Sequence, residues 1–433
     1  MEVPRRVESL DELMPLIERY HHTVRAGQYD EARTLFWDRI WTTIYYQFGA
    51  YQLQIELLQA LFPGGEPFTP AGQAILPRLA DEGDQAWTLN ELANSFSRSG
   101  QPRHAIPLFE RSNAIAEQRG NKRNLAIGLG NLANRHRELG ALRAAEANLH
   151  RRIALGREIG DAFREAIGHQ ALGRLLAYRG AWAAAAAELT TALEMVEQQN
   201  NVQSQGIIWA YCALFALLQA REAALPAALT DHADHAATAL TAARRALELA
   251  DEDARISYPV ERDYVRAHWL LGAAHRVNGV PASAREQQFA AAEQHLTEAL
   301  TRCRSINLVD HEADILLELA RLRAATGNRM EALRLAQEAL TITERCGYVL
   351  PGADGHLLLA GIYAGLDHEM GALDHEGRES ERERREQREQ ALGHARAARR
   401  LATCDGPPDY TYRVAYDEAG HLLTCLGEPP AEG

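Results

Sequence analysis

A 40-residue repeat is the feature of this 433-residue sequence that most restricts its fold. Gly100, Gly140 and Gly180 each follow a Leu-small pair and precede a small residue and then a bulky apolar one, so the three stretches align without a gap. A fixed period of this length indicates a solenoid of stacked helical units. The glycines predict a left-handed backbone where the first helix of each unit ends. Because stacked units form concave binding surfaces, the repeat favours binding over catalysis.

The composition supports a helical protein without a catalytic site. Hydrophobic residues make up 46% of the chain and aromatic residues only 7%, and the predominance of Leu and Ala favours helix over sheet. The formal net charge of −13 argues against nucleic acid as a partner, because phosphate contacts require a basic face. Lys122 is the only lysine, so the chain has no Gly-Lys pair for a phosphate-binding loop. We therefore predict no enzyme and no cofactor.

Cysteine usage and hydropathy predict where the protein resides. The five cysteines lie far apart and form no CxxC pair, which indicates reduced thiols and a cytoplasmic location. The N-terminus lacks the apolar core of a signal peptide. No uninterrupted apolar run approaches the ~18 residues of a membrane span, so we expect no membrane partner.

Outside the regular repeats the 40-residue spacing is interrupted by insertions. The regular and irregular parts divide the chain into four segments. Each regular repeat is expected to hold two helices of about 16 to 18 residues that meet at the glycine. Insertions are predicted near 226–235, 280–290 and 367–390, and the alternating Glu and Arg residues of 379–389 predict an exposed helix with i,i+4 ion pairs. The segments are 1–83 (capping helices with one repeat-like unit), 84–201 (three regular repeats), 202–348 (irregular repeats with insertions) and 349–433 (a last repeat, expected to start near Gly355, with a charged insertion and a capping helix).

The repeat resembles the tetratricopeptide repeat (TPR). In both, small residues allow close helix approach and bulky ones fill the groove of the next repeat. The period is longer than the usual 34 residues, and the six extra residues add roughly one turn to each helix. The resemblance covers about residues 20–425 and implies an all-α, right-handed α-α superhelix, a TPR-like solenoid of about eight helix pairs. It rests on Leu172-Gly173, Gly180, Ala185, Leu189 and Ala192, and on Leu319-Ala320, Gly327, Ala332 and Ala339.

The two ends of the chain give a narrower resemblance. The opening RVESLDELMPLIERYHHTVRAGQYDEARTLFWDRI and the ending ARAARRLATCDGPPDYTYRVAYDEAGHLL are similar to the TPR-like sensor regions of bacterial STAND-type NTPases, which carry NACHT or NB-ARC modules. In that family the repeats recognise a ligand, often a foreign protein, and control oligomerisation of the NTPase. The resemblance implies a protein- or peptide-binding sensor in signalling or antiphage defence, with an NTPase or effector domain as a further partner in cis or in trans.

Two other classes of function stay open at this point. The first is a stand-alone scaffold or adaptor that holds or regulates an effector enzyme such as a protease. The second is an enzyme with a site built across the groove, which would need a convergent set of catalytic residues that the sequence does not display. Cys212, within the apolar WAYCALFALL, is expected to be a core residue and not a nucleophile.

Polar residues on the first helices of the regular repeats are the candidate partner-binding site. Asn94 and Asn134 occupy equivalent positions, and a column of Asn can pair with the backbone of an extended peptide. The arginines give this side a positive character that suits an acidic partner. The alternative is that these side chains are solvated or bond between helices. The predicted concave-face residues are Asn90, Asn94, Arg98, Asn131, Asn134, Arg137, Arg174 and Tyr178.

Clusters of Asp, His and Glu raise the question of a metal, and we predict none. They lack a defined ligand pattern, and they fall near helix ends where Asp and His are common caps. The clusters are Asp310-His311-Glu312, Asp367-His368-Glu369, Asp374-His375-Glu376, and His232 with His235 beside Asp231 and Asp234.

Overall fold

The described part of the chain is helical and contains no β-strand. The computed structural model describes residues 7, 9–225, 232–257, 259–279, 285–365 and 381–428. Eighteen α-helices lie in these ranges, and the predicted all-α fold is confirmed. No helix in the same ranges is long and apolar enough to cross a membrane.

The helices are numbered in chain order. They are α1 (Met14–Arg25), α2 (Tyr29–Phe36), α3 (Tyr51–Gln59), α4 (Glu82–Arg98), α5 (Pro102–Gln118), α6 (Lys122–Glu138), α7 (Leu142–Glu158), α8 (Ala162–Tyr178), α9 (Trp182–Gln198), α10 (Val202–Ala223), α11 (His232–Ile256), α12 (Glu261–Asn278), α13 (Arg285–Ser305), α14 (Val309–Ala325), α15 (Arg329–Cys346), α16 (Val349–Ala364), α17 (Glu381–Ala402) and α18 (Arg413–Cys425).

Consecutive helices pack as antiparallel pairs, which gives the predicted solenoid. The described pairs number eight, from α1/α2 and α4/α5 to α16/α17, with α3 and α18 as additional single helices. All six helices of the regular repeats are 17 residues long, within the predicted range. The start of the last pair was predicted too late: α16 begins at Val349 and not near Gly355. Pro351 lies in the first turn, where its missing N–H has no partner within the helix, so it does not prevent helix formation.

Capping residues set the start of the first helix in each regular repeat and of α10, which follows them. Asp81, Asn121, Asp161 and Asn201 recur at the same 40-residue period, and the side chain of each accepts a hydrogen bond from the backbone N–H three residues on. Such caps satisfy N–H groups that the first turn of a helix leaves without a partner. The sequence period is thus a period of helix caps as well as of glycines.

The predicted insertions lie partly outside the described residues. Residues 226–231, 280–284 and 366–380 are not described, whereas the later part of each predicted insertion belongs to α11, α13 or α17. The described part of the charged run, residues 381–389, belongs to the first turns of α17, and most of its side chains from 382 on are exposed, as predicted. Ion pairs join Arg382 to Glu386 at 2.9 Å and Arg385 to Glu389 at 3.2 Å.

The even-numbered helices from α4 to α18 form an inner layer that closes on itself. Each packs against the next even-numbered helix, and in addition α4 contacts α14 and α10 contacts α18. One apolar cluster runs from Leu175 on α8 to Leu350 on α16 and Val414 on α18. The inner side of the superhelix is therefore occupied by the C-terminal helices of the same chain.

The glycines of the regular repeats are among the points where the two halves touch. Gly100, Gly140 and Gly180 have the predicted positive φ, at 82°, 77° and 71°. A Cβ atom at Gly140 would lie 2.8 Å from Cγ1 of Val349, and one at Gly180 would lie 2.6 Å from Cγ of Arg413. These positions require glycine for its backbone conformation and also for the absence of a side chain.

Gly140→Ala is expected to destabilise the protein more than Gly327→Ala. Both glycines end a first helix with nearly the same φ, 77° and 79°, but a Cβ at Gly327 would meet nothing within 4 Å. Each substitution costs about 1 kcal/mol for the left-handed backbone. Gly140→Ala costs a further 1–3 kcal/mol or so, because the methyl group presses on Val349. Urea unfolding of the two variants measures the difference, and equal losses would contradict the close packing of the halves.

Candidate functional site

The eight predicted site residues all lie on the inner layer, in three neighbouring helices. Asn90, Asn94 and Arg98 are on α4, Asn131, Asn134 and Arg137 on α6, and Arg174 and Tyr178 on α8. They separate into two groups. Asn90, Asn94 and Asn131 surround a buried carboxylate, and the other five line one cavity.

Glu91 organises the first group. Its carboxylate accepts hydrogen bonds from Nδ2 of Asn90 at 2.9 Å, Nδ2 of Asn94 at 3.2 Å and Nε1 of Trp41 at 3.0 Å. Asn131 in turn donates from Nδ2 to Oδ1 of Asn90 at 3.1 Å. Burial raises the pKa of the Glu91 carboxyl above its usual value. These asparagines thus have internal partners, and their predicted contact with a peptide backbone stays a prediction.

The second group meets helices from the C-terminal half around a cavity of about 100 Å³, here called the central cavity. The N-terminal side supplies the five predicted residues Arg98, Asn134, Arg137, Arg174 and Tyr178. Further polar residues come from α10, α12, α14 and α16, and they were not predicted as site residues. They include Tyr211, Arg266, Asp310, His311, Asp314 and Asp354.

Two ion pairs neutralise part of the cavity wall. Nη1 of Arg98 lies 2.5 Å from Oδ2 of Asp310, and Nη2 of Arg135 lies 2.7 Å from Oε1 of Glu138. Burial alone would raise the pKa of the Asp310 carboxyl, but Arg98 and His311 hold it well below its usual range. The pair joins α4 to α14, so it also links the two halves of the superhelix.

Arg174 has no carboxylate partner among the described residues. It donates from Nη1 to the Tyr211 hydroxyl at 2.9 Å and from Nη2 to Oδ1 of Asn134 at 2.6 Å, and both of these groups are neutral. Burial and the nearby Arg137 lower the pKa of Arg174 to about 10. Burial would raise the pKa of Tyr211, yet Arg174, Arg266 and Arg137 lower it below its usual value. The neighbouring arginines thus contribute to both shifts, although burial is the larger cause for Arg174 and acts in the opposite direction on Tyr211.

Asp314 faces the same cavity and forms no hydrogen bond or ion pair with a described residue. Burial and the neighbouring Asp354 raise the pKa of its carboxyl to about 7. Asp354 itself is engaged by Arg221, whose Nη2 lies 2.8 Å from its Oδ1. The α14 side of the cavity therefore presents an acceptor without a partner, and the α8 side presents a guanidinium without a carboxylate.

The first Asp-His-Glu cluster forms ion pairs and does not converge. Asp310 binds Arg98 and His311, whereas Glu312 binds Nε of Arg304 at 2.7 Å. The tripeptides at 367–369 and 374–376, and Asp231, lie outside the described residues. Within the described ranges, no three His, Cys, Asp or Glu side chains are placed to hold a metal ion.

The nucleophile candidate Cys212 packs against the main apolar cluster, as predicted. Burial raises the pKa of its thiol to about 11, so the thiolate needed for nucleophilic attack is not formed near neutral pH.

The sequence held weak signals for the residues that were missed. Tyr211 and Asp354 are isolated polar residues within apolar helices, WAYCALF and GADGHLLLAG. A polar side chain in such a setting is buried and must find partners. The sequence could not show that helices about 140 residues apart along the chain meet at one cavity.

No protein-family profile matches the chain, and no curated protein is similar to it. Similar solved structures include a STAND protein with a tetratricopeptide repeat sensor from Pyrococcus horikoshii (14% identity, TM-score 0.39), which matches 90% of this chain. This chain spans 53% of the length of that protein.

Two further solved structures are similar over most of their own length. One is a Rap protein complexed with competence and sporulation factor (11% identity, TM-score 0.45), with 96% of this chain and 97% of that chain covered. The other is the TPR domain of P58(IPK) (15% identity, TM-score 0.21), with 78% and 98% covered. The helix pairs of this chain make its fold TPR-like. At these TM-scores the likeness does not extend to residues of the site.

Replacement of Asp314 by Asn is expected to raise the stability of the protein at pH 8 and not at pH 4. The pKa of this carboxyl is raised from 3.8 to about 7 on folding, so the folded state resists its ionisation. The protein therefore loses stability as the pH rises through this window. Asp314→Asn removes that cost, which at pH 8 is at most about 4 kcal/mol, because each pH unit between 3.8 and about 7 contributes about 1.4 kcal/mol. Denaturant unfolding at the two pH values measures it.

Asp310→Asn is the matched control on the same helix. Its carboxyl has a lowered pKa and an ion pair with Arg98, so the substitution is expected to reduce stability at pH 8. Loss of stability at pH 8 in Asp314→Asn would contradict the description of Asp314 as a carboxyl without a partner.

Proposed function

We propose that this chain is a non-catalytic solenoid that binds a protein or peptide and acts as the ligand-sensing module of a bacterial STAND-type signalling or antiphage defence protein. The sequence resemblance at the two ends supports the STAND assignment, and a TPR-like fold supports a binding role. The further partner is an NTPase or effector domain, in cis or in trans. All five cysteines are free thiols, which fits the proposed cytoplasmic location.

The observation that carries this proposal is that the central cavity belongs to both halves of the closed superhelix. Arg137 and Arg174 come from α6 and α8, whereas Asp314 and Asp354 come from α14 and α16. A ligand at this surface contacts both halves, so its affinity differs between closed and more open arrangements. Such a difference in affinity is what allows a ligand to shift a conformational equilibrium.

A peptide that enters once the halves separate would bind by replacing existing hydrogen bonds. Asn94 bonds to Glu91 and Asn134 bonds to Arg174, so a peptide amide must replace one of these partners. Replacement of one hydrogen bond by another is close to neutral in free energy, because no group is left without a partner. The Asn column is therefore compatible with peptide binding although its members already have partners.

The test is capture of a partner from native or phage-infected cells by the immobilised chain, with bound proteins identified by mass spectrometry. We expect a partner that is enriched on the wild-type chain and reduced roughly thirtyfold on Asn94→Ala/Asn134→Ala, because the peptide amide at each position then lacks a side-chain partner, which costs about 1 kcal/mol apiece. Arg334→Ala, an exposed residue of α15, is the control and should retain capture.

Undiminished capture by the double variant would remove the Asn column from the proposal. Absence of any protein or peptide enriched over an unrelated solenoid bait would overturn the binding role itself.

A further inference from the structure

We propose that the central cavity binds a small carboxylic acid that carries a hydroxyl or amino group, with its carboxylate against Arg174 and Arg137. The inference gives the chemical class of a second, small ligand for the surface discussed above. It relies on the proposed function only in that a ligand here would affect the closed arrangement.

The ion pairs of the cavity wall leave two guanidinium groups and one carboxyl group without a full partner. Arg98 pairs with Asp310 and Arg135 with Glu138, whereas Arg266 and Asp354 pair with Asp263 and Arg221 outside the lining. Arg137, Arg174 and Asp314 remain. Oε1 of Glu138 lies 2.7 Å from Arg135 and 3.5 Å from Arg137. The Arg137 guanidinium therefore has only a long ion pair with a carboxylate that Arg135 also binds. Arg174 has no carboxylate partner among the described residues, and its hydrogen bonds go to the neutral groups of Tyr211 and Asn134. A planar guanidinium presents paired N–H groups that match a carboxylate, which makes this the preferred ligand group.

Several N–H donors at the cavity have no acceptor within the described chain. They include Nε of Arg137, Nε of Arg174 and both Nε and Nη1 of Arg135, all buried. The Arg135 side chain is only 7% exposed, so solvent is hardly available to it. Buried donors without acceptors are costly and therefore uncommon in folded proteins. A bound carboxylate supplies up to four acceptor positions in one small group.

The size of the cavity and its walls limit what can enter. Its volume of about 100 Å³ admits a few heavy atoms and not an extended chain. The two halves also approach closely at Gly100 and Gly140, where a Cβ would lie 2.8 Å from Val309 and Val349. A small acid is therefore the occupant that fits the closed superhelix.

Asp314 indicates the second group of the ligand. Its carboxyl lines the same cavity and has no partner among the described residues, so it is available to accept a hydrogen bond. A hydroxyl or amino group next to the carboxylate of the ligand would donate to it. The raised pKa of about 7 fits a carboxyl that lacks such a donor.

The experiment is isothermal titration calorimetry of the full chain at pH 7.5, in a buffer free of carboxylate and phosphate. The probes are acetate, lactate and glycine, with acetamide as the uncharged counterpart of acetate. We expect lactate or glycine to bind with a Kd of about 1 mM or tighter, acetate to bind more weakly and acetamide not to bind. Inorganic phosphate tests whether any oxyanion suffices, and triglycine tests whether the carboxylate can come from the end of a peptide.

Two variants locate the site. Arg174→Gln should weaken binding of the acid at least tenfold and should fold, because it removes a buried charge that has no carboxylate partner. Arg164→Gln, on the same helix but paired with Asp161 and away from the cavity, should bind as the wild type does. If Arg174→Gln does not fold, Arg137→Gln takes its place.

Three results would overturn the inference: no binding of any carboxylate by the wild type, equal binding of acetamide, or unchanged binding by the folded Arg174→Gln variant. Tighter binding of phosphate than of every carboxylate would also reject the proposed ligand class. None of these results affects capture of a protein partner, and loss of that capture leaves the calorimetry intact, so the two proposals fail separately.

Discussion

The close approach of three glycine turns to the C-terminal helices is the constraint on which the rest of the structure depends. Gly100, Gly140 and Gly180 each leave less than 3 Å between a hypothetical Cβ and a side chain of the other half. A side chain at any of them would hold the halves apart. The ion pairs that span the interface, such as Arg98 with Asp310 at 2.5 Å, could not then form. The central cavity exists because two faces meet at this distance.

Closure of the superhelix explains why its interior contains so many charged groups with internal partners. In an open solenoid these side chains would face water, and ion pairs between them would contribute little. Once the halves meet, each charge is desolvated and must be matched by another. Arg221 meets this requirement through Asp354, Glu418 and the Tyr412 hydroxyl, with distances of 2.6–2.8 Å. Arg174 does not meet it, and this contrast distinguishes a structural arginine from a candidate ligand-binding one.

The sequence predicts the local structure well here, because the residues that start and end each helix recur every 40 positions. The helix pairs and their number can be predicted from three recurring features. These are glycines with positive φ, caps such as Asn121 and Asp161, and small residues where helices touch. Five of the eight predicted site residues converge, because equivalent positions in adjacent helices must lie side by side. Closure could not be predicted, since the contacts of Gly140 with Val349 and of Arg221 with Glu418 join segments about 200 residues apart. Tyr211, Asp314 and Asp354 were missed for the same reason.

The energetics of closure limit what each proposed ligand can do. A small acid at 100 times its Kd stabilises the state that binds it by about 2.7 kcal/mol. Separation of one buried ion pair, such as Arg221 with Asp354, costs about 3–5 kcal/mol if the partners stay unpaired. A small ligand therefore reinforces the closed arrangement but cannot open it. Opening requires a partner that replaces several interfacial contacts at once, and a protein or peptide offers enough polar groups to do so. A small acid and a protein partner would then act in opposite directions on the same closed superhelix.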